Sequence, residues 1–270
     1  MDLMKKGAHG LDVQALQQRL AALGAKLAVD GWYGDATEAA VADFQRRAGL
    51  VVDGIAGAKT LAALTGLAGP RRLSEADLQA AAERLGLGVS VVKAINAVES
   101  RGSGFLADGR AVILLERHVA YQRAGKQADS LAAQYPALCN QARGGYAGGA
   151  AEWARFTSLA AVAGADLAIE SCSWGAFQIM GYHWQRLGYV GASEWRLAME
   201  SGEPAQLDAF VRFILAEPAL LKALQAKKWA DVARLYNGPA YRDNLYDAKL
   251  QAAYERAERI NQSTAQKGND

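Results

Sequence analysis

One short pattern occurs twice near the start of this 270-residue chain: D-G-W-Y-G-D-A-T at 30–37 and D-G-I-A-G-A-K-T at 53–60, both fitting D-G-x-x-G-x-x-T. The pattern dictates local shape. Asp30 and Asp53 can each close an Asx-type turn, and Gly31 and Gly54 tolerate a positive φ. Thr37 and Thr60 are placed to N-cap the helices that follow. Around the turns the apolar residues recur at helical spacing. Val13, Leu16, Leu20 and Leu23 make one stripe, Ala40, Val41 and Phe44 a second, and Leu61 and Leu64 a third. The expectation is a compact three-helix unit over residues 1–66.

That unit resembles the peptidoglycan-binding domain of cell-wall hydrolases. The residues that carry the resemblance are G-L-D-V at 10–13, L-Q-Q-R-L at 16–20, D-G-W-Y-G at 30–34, Phe44-Gln45 and G-L-V-V-D-G-I-A-G at 49–57. The resemblance implies a module that holds the protein on the wall, with Asp30, Trp32, Tyr33 and Asp53 as its binding residues. Trp32 and Tyr33 are the candidate exposed stacking rings, and either could equally anchor the core. Lys and Arg balance Asp and Glu over residues 1–69. Hydrogen bonds and stacking, rather than net charge, must therefore hold an anionic polymer. A Gly/Pro break follows, read as a linker at 67–73.

Composition narrows the rest. Hydrophobic residues make up 51% and charged residues 21%, which is enough to bury a substantial core. A net charge of +2, with no run of more than two basic residues, argues against nucleic acid and against a stable membrane association. The first ten residues lack the apolar core of a secretory signal, and the longest uncharged run, between Glu170 and Arg186, is too short for a membrane span. A soluble, monomeric protein made in the cytoplasm is expected. Cys139 and Cys172 show no C-x-x-C spacing and read as buried free thiols. His9, His118 and His183 form no metal motif, so neither a metal nor another cofactor is expected.

Residues 74–263 read as a second, mainly helical domain, followed by a flexible tail at 264–270. Ser74 can cap a helix, with Asp77 at the capping-box position, and the helix should stop near Gly86. The next helix starts at Ser90 and ends on Glu99. Val92, Ile95, Asn96 and Glu99 share a face, so a carboxylate extends an apolar stripe at the end where the helix dipole disfavours its charge. Partial burial and the dipole both raise a carboxyl pKa, which suits a proton donor to a leaving oxygen. A plain ion pair with Arg101 is the simpler alternative. The run A-V-I-L-L at 111–115 reads as a short strand that places Glu116 at its end. S-W-G-A-F-Q-I-M-G at 173–181 reads as a loop or helix start that lets the backbone approach a ligand, and L-Y-N-G-P-A-Y at 235–241 ends a helix with a Tyr-Asn pair.

Taken together, E-S-R-G-S-G-F at 99–105, I-L-L-E-R-H at 113–118, S-W-G-A-F-Q-I-M-G at 173–181 and Tyr236-Asn237-Gly238 resemble the lysozyme-like superfamily, and most nearly the N-acetylmuramidase domain of phage endolysins. The resemblance implies a mainly α, lysozyme-like fold with at most a short β element. It implies cleavage of the β-1,4 bond between N-acetylmuramic acid and N-acetylglucosamine in bacterial peptidoglycan. Glu99 would be the acid, and Glu116, or less directly Asp108, Asp166 or Glu170, the second group. Ser173, Gln178, Tyr182, Tyr236 and Asn237 would line the sugar groove. The protein would wait in the host cytoplasm until release and act in the periplasm. A lytic transglycosylase using the same glutamate is the nearest rival, and a non-catalytic wall-binding or virion structural protein the next.

Overall fold

A computed structural model describes residues 3–66, 72–99, 103–237 and 245–267, the side chains of Asn237 and of 263–267 excepted. In chain order the elements begin with α1 (Leu11–Ala22), α2 (Asp35–Arg47), α3 (Ala58–Leu64), α4 (Glu75–Leu85) and α5 (Val89–Glu99). Next come β1 (Ile113–Leu115), α6 (Arg117–Arg123), α7 (Ala128–Gln134), α8 (Ala151–Ala163), α9 (Ala165–Glu170), β2 (Cys172–Trp174) and β3 (Ile179–Met180). The last helices are α10 (Ala192–Ser201), α11 (Glu203–Leu215), α12 (Pro218–Gln225), α13 (Trp229–Asn237) and α14 (Tyr246–Lys267). Among the described residues the protein is mainly α with one small sheet, as the resemblance implies. Among the described residues no helix is long and apolar enough to cross a membrane. The chain forms two compact units, residues 1–98 with 217–270, and residues 99–216.

In the first unit the two D-G turns are wired alike. Gln17, buried in α1, donates from Nε2 to Asp30 Oδ1 (2.8 Å), the Trp32 carbonyl (3.0 Å) and Thr37 Oγ1 (3.0 Å), while its Oε1 accepts from the Gly31 N–H. Gln45, in α2, repeats this at the second turn with Asp53 (2.8 Å), the Ile55 carbonyl (2.9 Å), Thr60 (3.0 Å) and the Gly54 N–H. The Asx turns predicted for Asp30 and Asp53 form, each carboxylate accepting the N–H two residues on, and both glycines have positive φ, 73° and 64°. Thr37 and Thr60 do not cap. The N-caps are Gly34 and Gly57, and the threonines sit inside the first turn, where the glutamines draw their hydroxyls inward. Tyr33 is fully buried among Val13, Leu16, Leu20, Val41 and Phe44, its hydroxyl donating to the Gly54 carbonyl. It ties one turn to the other and is a core residue rather than an exposed stacking ring.

The second turn is also packed against the helices of its unit. Ala42, Val52 and Ile260 form a buried cluster. Arg259 in α14 grips the buried Glu38 of α2 through both carboxylate oxygens, at 3.1 and 2.9 Å. Lys93 of α5, 3% exposed, donates to the Val52 carbonyl (3.1 Å) and to Asn261 (3.1 Å) and pairs with Glu75 at 2.5 Å, and Glu75 in turn accepts from the Val52 N–H. A buried lysine is tolerable only with such partners.

The capping box at Ser74 and Asp77 forms, and Gly86 ends α4 in the left-handed conformation. The second unit is organised by the sheet, ordered β1-β2-β3 and antiparallel throughout. Residues 173–181, expected as a loop or helix start, are a β-hairpin. Gly175 and Gln178 supply the positive φ values, 70° and 50°, that a tight reversal needs. Ile113, Leu115, Cys172 and Trp174 occupy one face and are all buried. Behind them Trp153, Phe156 and Trp174 meet edge to face at 5.3–5.9 Å. Cys139 and Cys172 are buried and free.

Candidate functional site

Strand pairing decides which way Glu116 points. Leu114 lies opposite Ser173, and Ser173 opposite Met180, so these three share the sheet face turned away from the aromatic core. Glu116 continues the ladder, its N–H donating to the Ser171 carbonyl at 2.9 Å. Two residues beyond Leu114, it falls on the same face as Ser173. Ser173 Oγ donates to Gln178 Oε1 (2.9 Å), and Gln178 Nε2 donates back to the Gly175 carbonyl (2.9 Å). The hairpin side chains thus close on each other, and Ser173 is brought together with Gln178 beside the end of β1.

The Glu116 carboxylate is largely shielded, its side chain 17% exposed. Tyr146 Oη lies 3.1 and 2.9 Å from its two oxygens. His118 Nδ1 is 3.2 Å from Oε2, off the hydrogen-bond direction. Burial first, then the hydrogen bond to Glu116, pushes the Tyr146 phenol above its ordinary pKa, so it remains a donor at neutral pH. Sequence reasoning missed Tyr146, although its setting, R-G-G-Y-A-G-G-A, is visible as a glycine-rich run at 143–150.

Three buried polar side chains, also missed, hold this region. Glu152 at the start of α8 is wholly inaccessible. It accepts from the Leu115, Ala147 and Gly148 N–H groups (3.1, 2.6 and 2.9 Å) and pairs with Arg155 at 2.7 Å. Burial pushes its carboxyl up, but the three backbone donors and Arg155 outweigh that, and its pKa lies below the ordinary value. Arg155 also donates to the Leu115 carbonyl, so one ion pair covers the open edge of β1. Gln206 in α11 accepts from the Ala176 N–H (2.8 Å) and donates to the Gly104 carbonyl (3.3 Å), while Glu203 accepts from the Gly104 N–H (3.0 Å). A Cβ on Gly104 or Gly175 would stand 1.9 and 2.5 Å from the Gln206 amide. Gly104 of G-S-G-F and Gly175 of S-W-G-A-F are therefore required by one glutamine.

Glu99 is the last residue of α5 and half-buried. Val92, Ile95 and Asn96, which share its stripe, are buried as predicted. Ser100, Arg101 and Gly102 lie outside the described residues. Tyr182 follows β3, with the Arg123 guanidinium 5.4 Å from its ring centre; Arg123 in turn pairs with Glu170 at 2.6 Å, and Trp184 donates to the same carboxylate. Glu170 is thus engaged by an arginine and an indole. Asp108 is engaged by Arg110, which holds its carboxyl below the ordinary range. In the first unit Tyr236 is half-buried on α13; the Asn237 side chain and Gly238 lie outside the described residues. Trp32 is 55% exposed and stacked on His9 at 5.5 Å. Among the described residues no three His, Cys, Asp or Glu side chains gather as metal ligands would.

Two family models match the chain: N-acetylmuramidase over residues 88–258 and a putative peptidoglycan-binding domain over residues 9–64. A solved structure titled as the Burkholderia AP3 phage endolysin is 52% identical, with a TM-score of 0.92, over 96% of this chain and 100% of that one. Curated relatives match over short stretches. An N-acetylmuramoyl-L-alanine amidase, CwlL, of Bacillus licheniformis is 42% identical over 73 residues, 26% of this chain and 20% of that protein. A zinc D-Ala-D-Ala carboxypeptidase of Streptomyces albus G is 48% identical over 60 residues, 21% of this chain and 24% of that protein. The chain thus spans only about a fifth to a quarter of the length of these two relatives.

Proposed function

The chain belongs to the N-acetylmuramidase family, and from that premise we propose that it is an endolysin-type peptidoglycan hydrolase that cuts the β-1,4 bond between N-acetylmuramic acid and N-acetylglucosamine. Glu99 protonates the bridging oxygen as the bond breaks. Glu116 faces the developing positive charge on the sugar or takes the proton of the attacking water. Ser173, Gln178 and Tyr182 shape the sugar groove, and Tyr236 and Asn237 are proposed as further sugar-binding residues. Glu116 supports this reading most directly: strand pairing turns its carboxylate away from the core, onto the face of Ser173, with its oxygens held by a phenol. The sequence match to the AP3 phage endolysin structure along nearly the whole chain supports host-cell lysis as the setting, with release from the cytoplasm and action on the wall.

The N-terminal module is proposed to hold the enzyme on peptidoglycan. Relatives that align with this chain over 73 and 60 residues are named for amide and peptide cleavage, different reactions from the one proposed here. A segment common to enzymes of unlike chemistry suits attachment to a shared polymer. Wall clearing by Glu99→Gln, with mass spectrometry of the digest, tests the enzymatic part. Loss of at least ~100-fold is expected for removal of a general acid, with reducing muramic ends released by the wild type. Equal clearing by the variant removes Glu99 from the mechanism, and anhydro ends one water lighter make the enzyme a transglycosylase.

A further inference from the structure

We propose that Tyr146 is a positioning residue for Glu116, its phenol fixing the orientation in which that carboxylate serves the reaction. The inference rests on the reading of Glu116 given above and deepens it. A phenol is a donor, and here its one proton is shared between two carboxylate oxygens at 3.1 and 2.9 Å. The contact holds the carboxylate plane in one orientation.

The loop that brings the phenol there is strapped at both ends. On one side Arg117, the residue after Glu116, donates to the carbonyls of Ala142 (2.9 Å) and Arg143 (2.8 Å). Gly145, at φ 77°, lies flat against the same guanidinium, where a Cβ would stand 3.0 Å from Nη1. On the other side the buried Glu152 takes the N–H groups of Ala147 and Gly148. Gly144, Gly148 and Gly149 also have positive φ, so four glycines in six positions bend the chain around Tyr146. The straps and the carboxylate converge: Glu152 also accepts from the Leu115 N–H, immediately before Glu116. The Tyr146 ring itself is 49% exposed, so its hydroxyl contact is made without core packing.

The test is a double-mutant cycle on the full chain with soluble peptidoglycan strands as substrate. Tyr146→Phe keeps the ring and removes the donor. It is expected to lower kcat on the order of 10-fold, KM moving less than about twofold, because a hydrogen bond to a charged group is lost without loss of substrate contact. In a Glu116→Gln background the same change should cost less than about twofold, since a residue that acts through another has nothing left to act on. Gly145→Ala, which lifts the loop off Arg117 and leaves the phenol intact, should reproduce the kcat loss and should not add to Tyr146→Phe. Full kcat in Tyr146→Phe, or losses that multiply in the double variant, overturns the proposal and leaves Glu116 in the mechanism. Full kcat in Glu116→Gln removes Glu116 itself and takes the proposal with it.

Discussion

In the first D-G-x-x-G turn, Val29 and Trp32 are open to solvent, at 37% and 55% exposure; in the second, Val52 is 4% exposed, and Ile55, which stands where Trp32 does, is half-buried. The internal hydrogen bonds are the same in both copies, a glutamine joining Asp, carbonyl and Thr. What differs is the neighbourhood. The second turn is covered by Lys93, Glu75 and Ile260, and a Cβ on Gly54 would stand 2.9 Å from Ile260. The first turn is covered by nothing comparable among the described residues, and its Trp32 lies on His9 as a flat ledge. A repeated local structure can therefore be divided in its surroundings, one copy fastening the module to the helices of its unit and the other leaving its ring exposed.

The largest effect expected from this division is at Lys93. Lys93→Met removes the cation and leaves Glu75 and the Val52 carbonyl without it. Breaking a buried pair costs about 3–5 kcal/mol, and the partial exposure of Glu75 places this case at the lower end. Urea unfolding should show a drop of about 3 kcal/mol. A drop below about 1 kcal/mol, the range of a surface pair, would mean that the second turn does not depend on α5, and the contrast between the copies would weaken.

A smaller effect, opposite in sign at the two turns, is expected from the aspartates. The Trp32 N–H and Gln17 lower the pKa of the exposed Asp30. Burial raises that of Asp53, against the Ile55 N–H, Gln45, Arg256 and Lys59. A lowered folded pKa contributes stability that is present above the unfolded value, near 3.8, and is lost as pH falls through the folded one. A raised folded pKa contributes stability that is present below 3.8 and is lost as pH rises through the folded value. Asp53→Asn should therefore stabilise at pH 7, because the amide oxygen can still accept from Gln45 and Ile55, and the gain should vanish on the acid side. Asp30→Asn should destabilise at pH 7, with the deficit also closing in acid. Chemical denaturation across pH measures both. Two slopes of the same sign would show that burial does not distinguish the turns.

How much of this could be read from the residues follows the range of the interactions. The Asx turns, the capping box at Ser74, the strand before Glu116 and the helix ending at Glu99 depend on neighbours within about one helical turn or strand pairing, and all are present. Thr37 and Thr60 look like caps by the same local logic, but Gln17 and Gln45 reach them from earlier helices and pull them inside. Tyr33 looks as available as Trp32 beside it, and only the fold shows that its hydroxyl belongs to Gly54. Tyr146, Glu152 and Gln206 act on residues distant in sequence, where periodicity carries no information. The glycines at 104 and 175, against Gln206, and at 145, against Arg117, are the trace that long-range contacts leave in the sequence: each marks a place where a side chain from elsewhere occupies the space of a Cβ.

The smallest effect on stability is expected at Trp32, and the comparison is sharpest there. A ring that is 55% exposed and packed mainly on His9 contributes little to the core, so Trp32→Ala should stay within about 0.5 kcal/mol of wild type in stability. If that ring is the stacking surface for peptidoglycan, cosedimentation with purified walls should weaken by about tenfold, equivalent to about 1.4 kcal/mol, using the Glu99→Gln background to keep the walls intact. Ile55→Ala should behave in reverse. Its side chain is half-buried in the turn that docks on the module's own neighbours, so it should cost on the order of 1 kcal/mol of stability and leave wall binding unchanged. Binding losses of equal size in the two variants would mean that both turns meet the wall, and that packing of the second turn against Lys93 does not exclude a ligand there.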